Sequence, residues 1–143
     1  MKKKLGIILC IGLFLIILQA TPIIANQNDD TTTLEIISIE GGLGGVIVNV
    51  ENTGDNVASK ISVTTTVTGG ILNNIDLTHE CAGCSSCGST LDPGAVKTEN
   101  TREAGFLMGF GPIQITTSSW ASNAVMVSEE ASGFVIGPLV IIQ

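Results

Sequence analysis

The chain has 143 residues, with 6 Lys and Arg against 13 Asp and Glu, and a formal charge of −7. Nucleic acid and anionic membrane surfaces are poor partners for such a chain, because binding either one needs clustered Lys and Arg. The length suits one ordinary domain. The many Thr, Val, Ile, Gly and Ser residues favour strands joined by turns.

The N-terminus has the pattern of a secretory signal peptide, residues 1–25. Lys2 to Lys4 form a basic segment, and an apolar stretch from Leu5 to Leu18 follows. Cleavage is expected after Ala25, with cleavage after Ala20 as the second choice. An uncleaved membrane anchor is the alternative, since about 20 apolar residues cross a bilayer. Pro22 argues against the anchor. We therefore expect a secreted or cell-surface protein, with N-terminal anchoring as the other possibility.

Cleavage would leave 118 residues, and it would remove three lysines. Three cationic residues would then face 13 acidic ones, which gives a formal charge of −10. Residues 26–33 form a polar lead-in, and residues 34–143 form the expected domain.

The first half of the domain alternates apolar and polar residues with the period of two that is typical of half-buried strands. Residues 31–40 change face at Ile36 and Ile37, which indicates a bulge. Two strands then flank the turn at residues 52–56, and we expect Val48, Val50, Ile61 and Val63 to be buried. A short strand is predicted at residues 71–77, and a loop at residues 79–90.

The second half predicts further short strands. Residues 91–94, Leu-Asp-Pro-Gly, form a turn signal, because Pro presets one φ angle and Gly tolerates the other. After this turn we expect an exposed strand at 95–103 and a Gly-rich bend at 105–111. Short strands near 113–116 and 124–128 follow, and an apolar strand at 133–142 closes the domain. Seven or eight short strands with this spacing predict an all-β, immunoglobulin-like β-sandwich.

Several of these segments resemble CARDB-type immunoglobulin-like modules of archaeal and bacterial secreted or surface proteins. The resemblance covers most of residues 34–142 and lies in Val48-x-Val50-x-Asn52-Thr53-Gly54, Ala58, Ile61-x-Val63, Leu91-x-Pro93-Gly94 and the Ser132–Pro138 ending. It implies a non-catalytic extracellular module for adhesion, envelope structure or protein interaction, with a protein or cell-envelope component as its partner. The cysteine-rich segment departs from the family pattern.

That segment holds Cys81, Cys84 and Cys87. The first of them lies two residues after His79, the chain's one histidine. A disulfide, most simply Cys81 to Cys87 or Cys81 to Cys84, suits a secreted protein and leaves one thiol that could pair with another chain. The alternative is a zinc or iron site built from His79 and the three cysteines, because imidazole and thiolate are the ligands these metals prefer. Reduced, inert thiols are the third possibility.

Enzymatic chemistry has weak support in the sequence. A thiol oxidoreductase would need its Cys-x-x-Cys at a helix N-terminus in a βαβ setting, which the pattern does not predict. A triad would have to use His79, without a nucleophile-elbow motif. We therefore expect no enzyme and no cofactor. The large apolar residues Phe106, Met108, Phe110 and Trp120 are expected to face the core.

Overall fold

The computed structural model describes residues 31–81 and 90–143, and within them the protein is all-β. Two antiparallel sheets contain eight strands, accompanied by two 3₁₀ helices, Ile71–Asn73 and Thr101–Glu103. The strands are β1 (Leu34–Gly41), β2 (Val46–Asn52), β3 (Ser62–Gly69), β4 (Ile75–Cys81), β5 (Val96–Asn100), β6 (Gly109–Ala121), β7 (Ala124–Gly137) and β8 (Leu139–Ile142). Among these residues, no helix has the length and apolar character needed to span a membrane. The predicted signal peptide lies outside the described residues.

The smaller sheet has the strand order β1-β2-β5, and the larger has β4-β3-β6-β7-β8. β6 and β7 pair along almost their whole length, from Gly109 opposite Gly137 to Ala121 opposite Ala124. The apolar inner faces of the two sheets meet in one core, as expected for a two-sheet fold.

The core confirms the predicted alternation in β2 and β3. Val48, Val50, Ile61 and Val63 are all fully buried, and Thr64, between buried neighbours, is partly exposed. The predicted bulge in β1 is also present, as a register shift between Ile36 and Ser38 opposite β2. Side-chain burial of this kind contributes about 1.5 to 3 kcal/mol for each large aliphatic residue.

The turn after β2 depends on a buried amide, Asn52. Its Oδ1 accepts hydrogen bonds from Thr32 Oγ1 at 2.7 Å and from the Gly54 backbone N–H at 3.1 Å. Its Nδ2 donates to the carbonyl oxygens of Asn56 and Leu91, each at 2.8 Å. All four hydrogen-bonding positions of the side chain are therefore used, and one residue ties the lead-in and two turns together.

The predicted turn at residues 91–94 is present. The Ala95 N–H donates to the Asp92 carbonyl at 3.0 Å, and Gly94 has a positive φ of 73°. Glycine reaches that conformation without the steric penalty of a Cβ atom.

Several predicted boundaries were wrong. The residues at 71–73 form a 3₁₀ helix, and β4 continues through His79 to Cys81, so that the start of the predicted loop belongs to a strand. The short strand near 124–128 is the beginning of the long β7. The closing apolar segment is divided between β7 and β8, because Gly137, with φ of 61°, turns the chain there.

The expectation that the large apolar residues of the second half face the core was also wrong. Phe106, Met108, Phe110 and Trp120 are all exposed, and residues 106–108 precede β6. The inner positions of β6 are instead occupied by smaller side chains, including Ile113 and Ile115.

The two long edges of the fold are closed in different ways. At one edge, β8 meets the β1–β2 connection through backbone hydrogen bonds, from Val140 N–H to the Gly42 carbonyl at 3.0 Å and from Gly44 N–H to the Pro138 carbonyl at 2.6 Å. At the other edge, β4 and β5 belong to different sheets. At that edge, side chains connect β4 to β5.

Candidate functional site

The connection between β4 and β5 consists of a buried histidine and a buried glutamate. His79 Nε2 lies 3.5 Å from Glu99 Oε2, and each residue is 7 % exposed. His79 faces inward because it shares one face of β4 with Ile75 and Cys81. Glu99 lies opposite the buried Val48 in the β2–β5 ladder, and it therefore faces the core as Val48 does.

A lysine completes the charged group. Lys97 lies two residues before Glu99 on the same face of β5, and its Nζ is 2.9 Å from Glu99 Oε1. The two oxygens of the carboxylate therefore face different partners, with Oε1 toward Lys97 and Oε2 toward His79. Buried charges need such pairing, since an isolated buried carboxylate is very costly.

Polar residues continue from His79 across the inner face of the larger sheet. His79 pairs with Thr65 in the β3–β4 ladder, and Thr65 pairs with Thr117 in the β3–β6 ladder. The two threonine hydroxyls lie 3.2 Å apart in the buried interior. The fold thus has an apolar core with one polar row that leads to the β4 edge.

Glu103 adds a second carboxylate to the His79–Glu99 pair. It is the last residue of the second 3₁₀ helix, and at the start of that helix the Asn100 side chain accepts a hydrogen bond from Arg102 N–H at 3.0 Å. Thr101 is buried and accepts a hydrogen bond from Val46 N–H at 2.9 Å, which attaches the helix to β2. One ligand atom from each of His79, Glu99 and Glu103 lies within 4.8 Å of the others.

The structure describes part of the cysteine-rich segment. Cys81 is the last residue of β4, is buried and is disulfide-bonded. Cys84 and Cys87 lie outside the described residues, so the pairing among the three cysteines stays a prediction. His79 and Cys81 are brought onto one face of β4, two residues apart.

The second notable feature is an exposed apolar surface at one end of the sandwich. Four connections lie there, β1–β2, β3–β4, β5–β6 and β7–β8. We define the apolar end by the exposed side chains that these connections and the start of β6 carry: Leu43, Ile71, Leu72, Phe106, Met108 and Phe110. Leu72 is 93 % exposed and Met108 is 68 % exposed.

Local contacts hold the two phenylalanine rings of the apolar end. The Gly44 backbone lies against the Phe106 ring, and a Cβ atom there would come within 2.2 Å of the ring. Phe110 packs edge-on against Phe134 with ring centroids 5.4 Å apart, and the Arg102 guanidinium lies 5.6 Å from the Phe106 ring centre. The aromatic rings are thus supported from one side and exposed on the other.

The sequence did not indicate Lys97, Glu99 or Glu103 as site residues. The alternation of Lys97 and Glu99 was visible, but polar strands of this kind are usually read as solvent-facing. Their partner on β4 belongs to the other sheet, and no local spacing predicts a contact between sheets. Neither a protein-family model nor a curated protein sequence matches this chain.

Proposed function

We propose that this protein is a non-enzymatic, secreted or cell-surface immunoglobulin-like module that acts in adhesion, envelope structure or protein interaction by binding an envelope protein through its apolar end. The observation that carries the proposal is the exposure of Leu43, Leu72, Phe106, Met108 and Phe110 at one end of the fold. Clustered exposed apolar side chains are typical of interaction surfaces. Aromatic residues and methionine are also the types enriched in such interfaces.

The proposed CARDB-like identity rests on the sequence resemblance, and the two-sheet architecture and the turns at residues 52–56 and 91–94 are compatible with it. Both turns lie between strands, as the resemblance implies. An extracellular location draws support from the disulfide at Cys81, because disulfides persist mainly in oxidising compartments. The predicted signal peptide supports the same location.

Charge favours a protein over a lipid surface as the occupant of the apolar end. In the described part of the chain the cationic residues are Lys60, Lys97 and Arg102. Lys97 faces Glu99, and Arg102 lies beside Phe106. Anionic membranes attract clusters of Lys and Arg, and three dispersed cations do not form one.

The opposite end of the fold offers a matched control. Val125 is 82 % exposed and its neighbour Met126 is also exposed, near the β6–β7 turn. These two side chains resemble Leu72 and Met108 in size and polarity. They belong to another surface.

Site-specific photo-crosslinking in the cells that produce the protein tests the proposal. A photoreactive residue replaces Leu72 or Met108 in two variants, and Val125 or Met126 in two control variants. We expect one envelope protein to be crosslinked from the apolar end, and the purified partner to bind the wild-type chain and the control variants equally. Its affinity for a Leu72→Asn, Met108→Ser variant should fall at least about tenfold.

Other outcomes would overturn the proposal. Crosslinks to lipid would indicate a membrane-binding end, and crosslinks between two copies of the chain would indicate self-association. Equal crosslinking from both ends, or no crosslink from the apolar end, would remove the reason for assigning an interaction to this surface.

A further inference from the structure

We propose that His79, Glu99 and Glu103 form a zinc-binding site at the edge where β4 meets β5. This site shares His79 with the cysteine-centred metal site considered from the sequence, but its other ligands are carboxylates on and after β5. The ligand atoms of the three residues lie within 4.8 Å of one another.

The separation of the buried pair suits a metal better than a hydrogen bond. His79 Nε2 and Glu99 Oε2 are 3.5 Å apart, whereas a good N–H···O hydrogen bond is about 2.7 to 3.2 Å long. In a tetrahedral site with zinc–ligand bonds of about 2.0 to 2.1 Å, two ligand atoms lie about 3.4 Å apart. An ion could therefore bind between the two atoms with little movement of either buried side chain.

Glu103 can provide the third ligand. Its side chain is exposed, so it can change rotamer, while the 3₁₀ helix that carries it is attached to β2 by the hydrogen bond from Val46 N–H to the Thr101 hydroxyl. An attached helix with a movable carboxylate allows the last ligand to reach the ion.

The donor set favours zinc among the common divalent ions. Calcium and magnesium prefer oxygen ligands alone, whereas zinc readily combines imidazole nitrogen with carboxylate oxygen. Three protein ligands leave a fourth position for water. Lys97 acts as the positioning residue, because its 2.9 Å contact holds Glu99 Oε1 and leaves Oε2 directed at His79.

A bound ion would also join the two sheets at the β4–β5 edge, where side chains make the connection. β4 and β5 lie in different sheets, and the three ligands come from β4, β5 and the 3₁₀ helix after β5. Binding energy would then stabilise the folded state, since the unfolded chain does not hold these residues together.

The test uses the exported protein with its disulfide intact and any free thiol alkylated, after treatment with EDTA. Zinc chloride is titrated by calorimetry, and thermal unfolding is followed with and without zinc. We expect one zinc ion per chain. The unfolding midpoint should rise by about 5 °C or more when free zinc is about one hundred times the dissociation constant.

The variant Glu103→Gln gives the sharpest comparison, because it removes a ligand that is exposed and leaves the buried pair in place. Zinc affinity should fall at least about tenfold, and the midpoint of the zinc-free protein should not change. Glu80→Gln is the matched control. Glu80 is exposed on the opposite face of β4, next to His79, and its loss should leave zinc affinity unchanged.

X-ray absorption at the zinc edge identifies the ligands independently of stability. Nitrogen and oxygen neighbours alone would support the site, and a sulfur neighbour would overturn it in favour of the cysteines. Absence of stoichiometric binding would also overturn it. So would an equal loss of affinity in Glu103→Gln and Glu80→Gln, since that result would indicate nonspecific attraction to acidic side chains.

Discussion

Asn52→Asp should be one of the most damaging single-atom substitutions in the protein. The change keeps the oxygen that accepts from Thr32 and Gly54, but it replaces the Nδ2 that donates to the Asn56 and Leu91 carbonyls at 2.8 Å. Two carbonyl oxygens would then face a carboxylate oxygen at hydrogen-bond distance.

The magnitude follows from this geometry. The two lost hydrogen bonds cost about 1 kcal/mol each, and the carboxylate oxygen that replaces Nδ2 then repels both carbonyl oxygens. Asn52 is fully buried, so the new charge is also poorly solvated. We therefore expect a loss of about 3 to 5 kcal/mol, a large fraction of the roughly 5 to 15 kcal/mol that stabilises a typical domain.

Urea unfolding, followed by the fluorescence of the chain's one tryptophan, Trp120, measures the effect. The control is Asn49→Asp, the same substitution three residues earlier on the other face of β2. Asn49 Nδ2 donates at 2.8 Å to the Ser38 hydroxyl, which can exchange its own bond to the exposed Glu40 carboxylate for one to the new carboxylate. Its cost should stay below about 1 kcal/mol. Equal costs for the two variants would refute the assigned role of Asn52.

Three further predictions concern the core, the buried charges and export. Ile61→Ala should lower the free energy of unfolding by about 2 to 4 kcal/mol through lost burial and a residual cavity, whereas Thr64→Ala should change it by less than about 0.5 kcal/mol in the same urea assay; similar losses would mean that the buried and exposed positions assigned to residues 61–64 are wrong. Glu99→Gln should cost about 2 to 4 kcal/mol in zinc-free protein, because Lys97 loses the carboxylate that faces it; a change below about 0.5 kcal/mol would show that the pair contributes little. N-terminal sequencing of the protein outside the cytoplasmic membrane should begin at Asn26, and an intact Met1 in a membrane fraction would indicate an anchor instead.

The features that the sequence predicted well are local. Period-two alternation from Val46 to Val67, the bulge in β1 and the turn at residues 91–94 each depend on neighbours within a few positions. The expectation that Phe106, Met108 and Phe110 face the core was wrong, because residues 106–108 lie outside a strand and all three side chains are exposed. Phe106 instead lies against Gly44, a residue far away in the sequence that no local pattern connects with it.

The β4–β5 site also depends on contacts between residues that are far apart in the sequence. His79 stands out in the sequence because it is the chain's one histidine and lies near the cysteines. The nearby cysteines suggested a loop, although Ile75, Leu77, His79 and Cys81 continue one alternating face. Glu99 reaches His79 only after the two sheets have packed, and Glu103 arrives through a 3₁₀ helix attached to β2 by Thr101.

The affinity of the exported protein for its crosslinked envelope partner is the most direct measurement of the central claim. Calorimetry would compare the wild-type chain, the apolar-end variant Leu72→Asn, Met108→Ser and the opposite-end variant Val125→Ser, Met126→Ser, after circular dichroism has shown that all three are equally folded. The account predicts an affinity at least about tenfold weaker for the apolar-end variant alone. Unchanged affinity in that variant, or an equal loss in both variants, would contradict it.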